Sequence, residues 1–130
     1  MSDAQWIIDD FAVAPAQLHS ALSEPAKIDL IKAGCIQYFE FSFELGWKAC
    51  KVVSAEQGFS DCLSPKACLR QAFTQGWIED EATWLEMLDA RNRMAHTYDA
   101  RKALEIYGSS SRFLPALQNL LNTLQSQVQS

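Results

Sequence analysis

Along most of this chain apolar residues recur at spacings of three and four, the period of an α-helix with one buried face, and strict alternation never runs long enough to build a sheet. The spacing predicts a first helix over Ala4 to Leu22, kinked or restarted at Pro15, and a second from Pro25 to Gln57, closed by Gly58. Ser64 and Pro65 have the chemistry of an N-cap and a first helical residue, opening a shorter helix that ends near Gln75 with Gly76 as its stop. A fourth helix is expected over Glu79 to His96. A last one is expected from Asp99, its cap, to Gln125, with a bend where Gly108 is followed by three serines. Antiparallel helices joined by short turns make a bundle. The expected fold is therefore all-α, an antiparallel bundle of four to five helices in one domain over residues 1–130.

Two helices depart from a simple amphipathic pattern. In the second, Ile28, Ile31, Cys35, Ile36, Tyr38, Phe39, Phe43, Leu45, Trp47, Ala49, Cys50, Val52 and Val53 cover an arc of more than about 200°, too wide for one neighbour. That helix is either central in the bundle or shared with a second subunit, and its aromatic content suits a two-fold interface, so a homodimer is expected. Its remaining strip holds Gln37, Glu40, Glu44, Lys48 and Lys51, with Glu44 and Lys48 in the favourable i,i+4 order. This strip faces solvent, or Glu40 and Glu44 line a cleft.

In the fourth helix Trp84, Met87, Leu88, Arg91, Met94, Ala95 and Tyr98 fall on one stripe about 120° wide, flanked by Asp89, Asn92 and His96. An arginine on a packing face demands a carboxylate, a phosphate or a cleft, because guanidinium does not shed its charge on leaving water. Asp89 can pair with Arg91 or with Arg93, and Asn92 can orient His96 or bond locally at the helix end. Trp47, Trp77 and Trp84 sit among apolar neighbours and read as core packing in preference to base stacking.

The acidic balance, net charge −5 and pI near 4.9, excludes a broadly basic nucleic-acid coat, so any RNA contact must be local or composite. Positive charge does gather at Arg91, Arg93, Arg101 and Lys102, with Glu79, Asp80, Glu81 and Glu86 just upstream. Cys35, Cys50, Cys62 and Cys68 show no CxxC spacing and no histidine pair to complete a zinc site, and read as core or free thiols. No metal or cofactor is expected, and there is no glycine-rich phosphate loop. With no signal peptide and no run of about 18 apolar residues, a cytoplasmic chain without a membrane contact is expected.

Arg91, Asn92 and His96 spell RNxxxH, which Tyr98 extends to RxxxxHxY. With QYFEFSFELGWKACK at Gln37 to Lys51, SPKACLRQAF at Ser64 to Phe73 and WLEMLDARNRMAHTYD at Trp84 to Asp99, most of the chain resembles the nucleotidyltransferase substrate-binding branch of the HEPN-fold proteins. The resemblance implies a dimeric helical bundle encoded beside a small nucleotidyltransferase. It also implies a toxic ribonuclease that its partner, a cognate minimal nucleotidyltransferase antitoxin, silences by adenylylating the tyrosine of RxxxxHxY, here Tyr98. Carried over by position, Arg91 and His96 are catalytic, with Asn92 and Asp89 supporting.

Imidazole and guanidinium suit metal-independent cleavage of RNA, which needs a proton taken from the 2′-hydroxyl, charge stabilised on the phosphorane and a proton given to the leaving 5′-oxygen. The alternative is a noncatalytic module, in which Arg91 holds a phosphate and the chain presents a nucleotide or other substrate to the partner transferase.

Overall fold

Five α-helices make up the regular structure of the described residues: α1 Asp3–Ser23, α2 Asp29–Glu56, α3 Pro65–Thr74, α4 Glu81–His96 and α5 Ala100–Gln129. The computed structural model describes residues 3–23, 29–96 and 100–129, with side chains at all of these except 29–31, 95, 96, 100–102 and 129. Pro25, Tyr98 and the capping position Asp99 lie outside the described residues.

Contacts between helix ends set the directions. The Ala4 N–H donates to Glu56 Oε1 at 3.3 Å, so α1 starts where α2 finishes, and Gln57 Nε2 donates to Gln127 Oε1 at 3.0 Å, so α2 and α5 run the same way. α2 packs against each of the other four helices. Its wide apolar arc is thus the signature of a central helix. Phe39 meets Phe113 of α5 at 5.3 Å between ring centroids, Phe43 meets Trp84 of α4 at 6.1 Å, and Phe11 of α1 lies against Gly46.

Both α2 and α3 end in the left-handed turn that glycine adopts without strain, Gly58 at φ 86° and Gly76 at φ 79°. In each the residues after the helix donate back to its last carbonyls, Phe59 to Ser54 and Trp77 to Ala72 among them. α3 opens as its sequence requires, with Ser64 Oγ accepting the Ala67 N–H at 3.1 Å and Pro65 in the first turn. Ser64→Ala is expected to cost about 1 kcal/mol of stability; urea unfolding checks this, with Ser64→Asp as the variant that keeps the cap.

Two expectations need correction, and α5 runs past its expected end. α1 does not restart at Pro15: it runs unbroken from Asp3 to Ser23, with Phe11, Ala14, Pro15 and Leu18 all buried on the core side. α5 passes through Gly108, the serines and Pro115 to Gln129, beyond the expected end at Gln125. Pro115 and the Ser111 carbonyl it leaves unbonded both lie on exposed residues, where water serves, and buried Ser110 returns its hydroxyl to the Ile106 carbonyl at 2.9 Å. Cys62 and Cys68 are not free thiols but a disulfide. The loop before α3 folds back and brings their Cα atoms to 5.1 Å, a proximity that a search for CxxC spacing misses. Cys35 and Cys50 are the buried free thiols expected, and burial pushes the Cys50 thiol up to about 12.

Candidate functional site

α4 begins at a cap that fixes its register. Asp80 accepts the backbone N–H of Thr83 at 3.1 Å and also the Thr83 hydroxyl. The hydrogen bonds from Thr83, side chain first and backbone second, hold the Asp80 carboxyl below the usual carboxylate range. From there Trp84 and Met87 are buried, Leu88 and Met94 are half-buried against the core, and Arg91 reaches the edge of the same face.

Arg91 meets α2 at that edge. Its Nε donates to Glu44 Oε1 at 2.6 Å, and its Nη1 donates to Asn92 Oδ1 at 3.1 Å. The second Glu44 oxygen accepts the Trp47 indole N–H at 3.1 Å and lies 3.8 Å from Lys48 Nζ, the i,i+4 partner that the sequence pairs with it. Arg91, Met94, Glu44 and Glu40 line a cleft of about 140 Å³. Burial and then the charge of Glu44 push the Glu40 carboxyl above its usual range, with Arg91 acting in the opposite sense. The polar strip of α2 therefore lines a cleft at Glu40 and Glu44 instead of facing water along its whole length.

The structure separates the expected site residues. Asn92 touches Arg91 directly. Asp89 belongs to another face of α4, where it takes Arg93 Nε at 3.0 Å and lines a cleft toward α5 with Glu105 and Ser109. Of the two partners foreseen for Asp89, the structure selects Arg93. His96 is the last residue of α4, its side chain outside the described residues, and Tyr98 lies outside them altogether. What the motif alone does not reveal is the α2 carboxylate that holds Arg91; the signal available was Glu40 and Glu44 one turn apart on the polar strip of a largely apolar helix.

Chemically, this cleft presents a guanidinium with two of its nitrogens held in place and two carboxylates beside it, an arrangement that can take a phosphate oxygen on its open end. Among the described residues there is no group of three or more His, Cys, Asp or Glu placed to hold a metal ion, and no helix is long and apolar enough to cross a membrane.

Comparison with known proteins gives a consistent picture. The sequence profile of the family described as "nucleotidyltransferase substrate binding protein like" matches residues 7–126. A Haemophilus influenzae protein named "Probable ribonuclease HepT" is 34% identical over 105 residues, covering 78% of this chain and 72% of the relative. Two solved structures share the fold. A Thermus thermophilus protein superposes with a TM-score of 0.80 at 27% identity, over 88% of this chain and 98% of its own. A Haemophilus influenzae protein, said to reveal the fold of a substrate binding domain of a nucleotidyltransferase, superposes with a TM-score of 0.67 at 30% identity, over 94% of each chain.

Proposed function

The chain belongs to the nucleotidyltransferase substrate binding protein like family, the substrate-binding branch of the HEPN-fold proteins, and from that premise we propose that it is a metal-independent endoribonuclease. In this reading it is the toxin of a toxin–antitoxin pair, residues 1–130 acting as one cytoplasmic domain, and a cognate minimal nucleotidyltransferase silences it by adenylylating Tyr98. The observation that carries the reading is the Arg91 guanidinium, held at a cleft and five residues before His96 on the same helix. One imidazole takes the 2′-hydroxyl proton, O2′ attacks phosphorus, Arg91 stabilises the charge on the phosphorane, and a second imidazole protonates the departing 5′-oxygen. The products are a 2′,3′-cyclic phosphate and a 5′-hydroxyl. Asn92 supports Arg91 through its side-chain carbonyl. Asp89 acts at a remove, through Arg93.

Two imidazoles call for two subunits. A cleft of about 140 Å³ accepts a phosphate group, whereas sites that enclose a whole nucleotide-sized ligand measure about 300–1,000 Å³. A homodimer supplies the missing wall. Its interface is supported by the outward stripe of α2, where Phe41 is 48% exposed and Tyr38, Leu45 and Val52 are only partly covered. Adenylylation of Tyr98 places a bulky anion two residues from His96, which closes the cleft to RNA by occupancy and charge.

A second reading has its own support. Glu40 and Glu44 put negative charge beside Arg91, on a chain already at −5, and this suits a noncatalytic subunit that presents a nucleotide or other substrate to the partner transferase. Purified protein incubated with RNA in the presence of a chelator separates the two. Cleavage by the wild type that disappears in His96→Ala is the expected result; nucleotide binding without cleavage overturns the nuclease reading in favour of the second. The silencing step is checked by intact mass after co-expression with the neighbouring transferase, where one or more adenylate increments are expected in the wild type and none in Tyr98→Phe.

A further inference from the structure

We infer that Glu44 is the positioning residue of this site: from α2, it fixes the plane of the Arg91 guanidinium so that the far end of that group is presented to a bound phosphate. The inference rests on the reading of Arg91 as the phosphate-binding group. Arginine has five N–H donors in one rigid plane, and a free side chain rotates that plane about several bonds. Here Glu44 Oε1 takes the Nε–H at 2.6 Å and Asn92 takes one Nη1 donor at 3.1 Å. Two anchors on different nitrogens define a plane. These contacts engage Nε and Nη1, and the cleft beside the guanidinium is walled by Glu40 and Met94.

Glu44 is itself immobilised, which a positioning group must be. Its second oxygen accepts from the Trp47 indole, a ring half-buried against the core, and Lys48 stands at 3.8 Å. The carboxylate therefore has a fixed orientation before any ligand arrives. Asn92 cannot replace it, because it sits next to Arg91 on the exposed side of α4 and moves with it. A contrary role for Glu44 is physically available: a carboxylate at this place simply repels phosphate and competes for Arg91. The two roles predict opposite signs.

The test compares Glu44→Ala and Glu44→Gln with the wild type in two measurements. The first is the ¹⁵N–¹H resonance of Arg91 Nε, assigned by its absence in Arg91→Lys, with and without inorganic phosphate. In the wild type a shifted, slowly exchanging signal is expected; Glu44→Ala is expected to return it to the free-arginine position, and Glu44→Gln, which keeps an oxygen acceptor, to preserve it in part. An Nε signal that ignores both substitutions overturns the inference whatever RNA does. The second is cleavage kinetics. A displacement of about an ångström costs on the order of 10²-fold in rate, so Glu44→Ala is expected to lower kcat by about that factor with KM unchanged or lower, and Glu44→Gln to recover most of it. A rise in kcat on removing the carboxylate overturns positioning in favour of repulsion. If the wild type cleaves no RNA, the nuclease reading fails, while the Nε signal and its response to phosphate still decide the role of Glu44.

Discussion

Arg91→Ala is expected to lower RNA cleavage by about 10²–10³-fold, the cost of removing one preorganised donor from a developing oxyanion, while leaving the protein folded. The fold survives because the ion pair lies at the rim of the bundle. Side-chain exposures of 33% for Arg91 and 28% for Glu44 place it among partly solvated pairs, which contribute about 0.2–1 kcal/mol or slightly more. Glu44 is not orphaned by the change, since the Trp47 N–H and Lys48 remain beside it. Glu40 fares differently. Arg91 is the influence that lowers its carboxyl pKa, so without the guanidinium the carboxyl moves further above the usual range, under burial and the charge of Glu44. Arg91→Lys keeps a positive charge but not the planar fork, and is expected to recover only a fraction of the rate. Single-turnover cleavage of a labelled RNA, with thermal unfolding as the control for folding, measures all of this. Wild-type rates in folded Arg91→Ala would remove the guanidinium from the chemistry.

The parts of this molecule that could be read from its sequence are those governed by local spacing. The Ser64 cap, the first-turn Pro65 and the glycine stops at 58 and 76 act within four residues of themselves, and each stands where the pattern puts it. The breadth of the apolar arc on α2 was equally legible as a sign of a helix with many neighbours. Misreadings arose where tertiary context overrides a local rule. Pro15 breaks a helix that nothing else supports, yet α1 continues through it with buried residues on both sides. The Cys62–Cys68 bond depends on a loop folding back, which spacing does not encode.

At the site the same division holds. Arg91 on an apolar face announced a need for an anion, and its motif placed it with Asn92 and His96, but the identity of the anion was a long-range fact. Periodicity orders residues on one helix and says nothing of which turn of α2 faces which turn of α4. Only packing sets that register, and the side chains that set it are Trp84, Phe43 and the gap left by Gly46.

Trp84→Ala is accordingly expected to cost about 3–5 kcal/mol, the range for emptying a fully packed aromatic site. Trp84 is 2% exposed, tilts against Phe43 at 6.1 Å, and brings its Cη2 to within 3.3 Å of where a Cβ on residue 46 would stand. Phe11 Cζ is equally near that point. Gly46 is therefore where α2 passes between α1 and α4, with space for a methyl only if the two rings give by a few tenths of an ångström. The consequence is a testable coupling. In the wild type Gly46→Ala gains up to about 1 kcal/mol of helix propensity, but its methyl meets both rings at 3.3 Å and the gain is offset. Without the indole only Phe11 opposes it, so Gly46→Ala is expected to be more favourable in Trp84→Ala than in the wild type, by about 0.5–1 kcal/mol in a double-mutant cycle. Urea unfolding of the four proteins measures the cycle. Additive effects would mean that Trp84 does not press on α2 at Gly46. Because Trp84 and Arg91 lie two turns apart on one face of α4, a loosened Trp84 also frees the helix that carries Arg91 to Glu44, and the Arg91 Nε resonance is expected to broaden in Trp84→Ala under conditions where the protein is still folded.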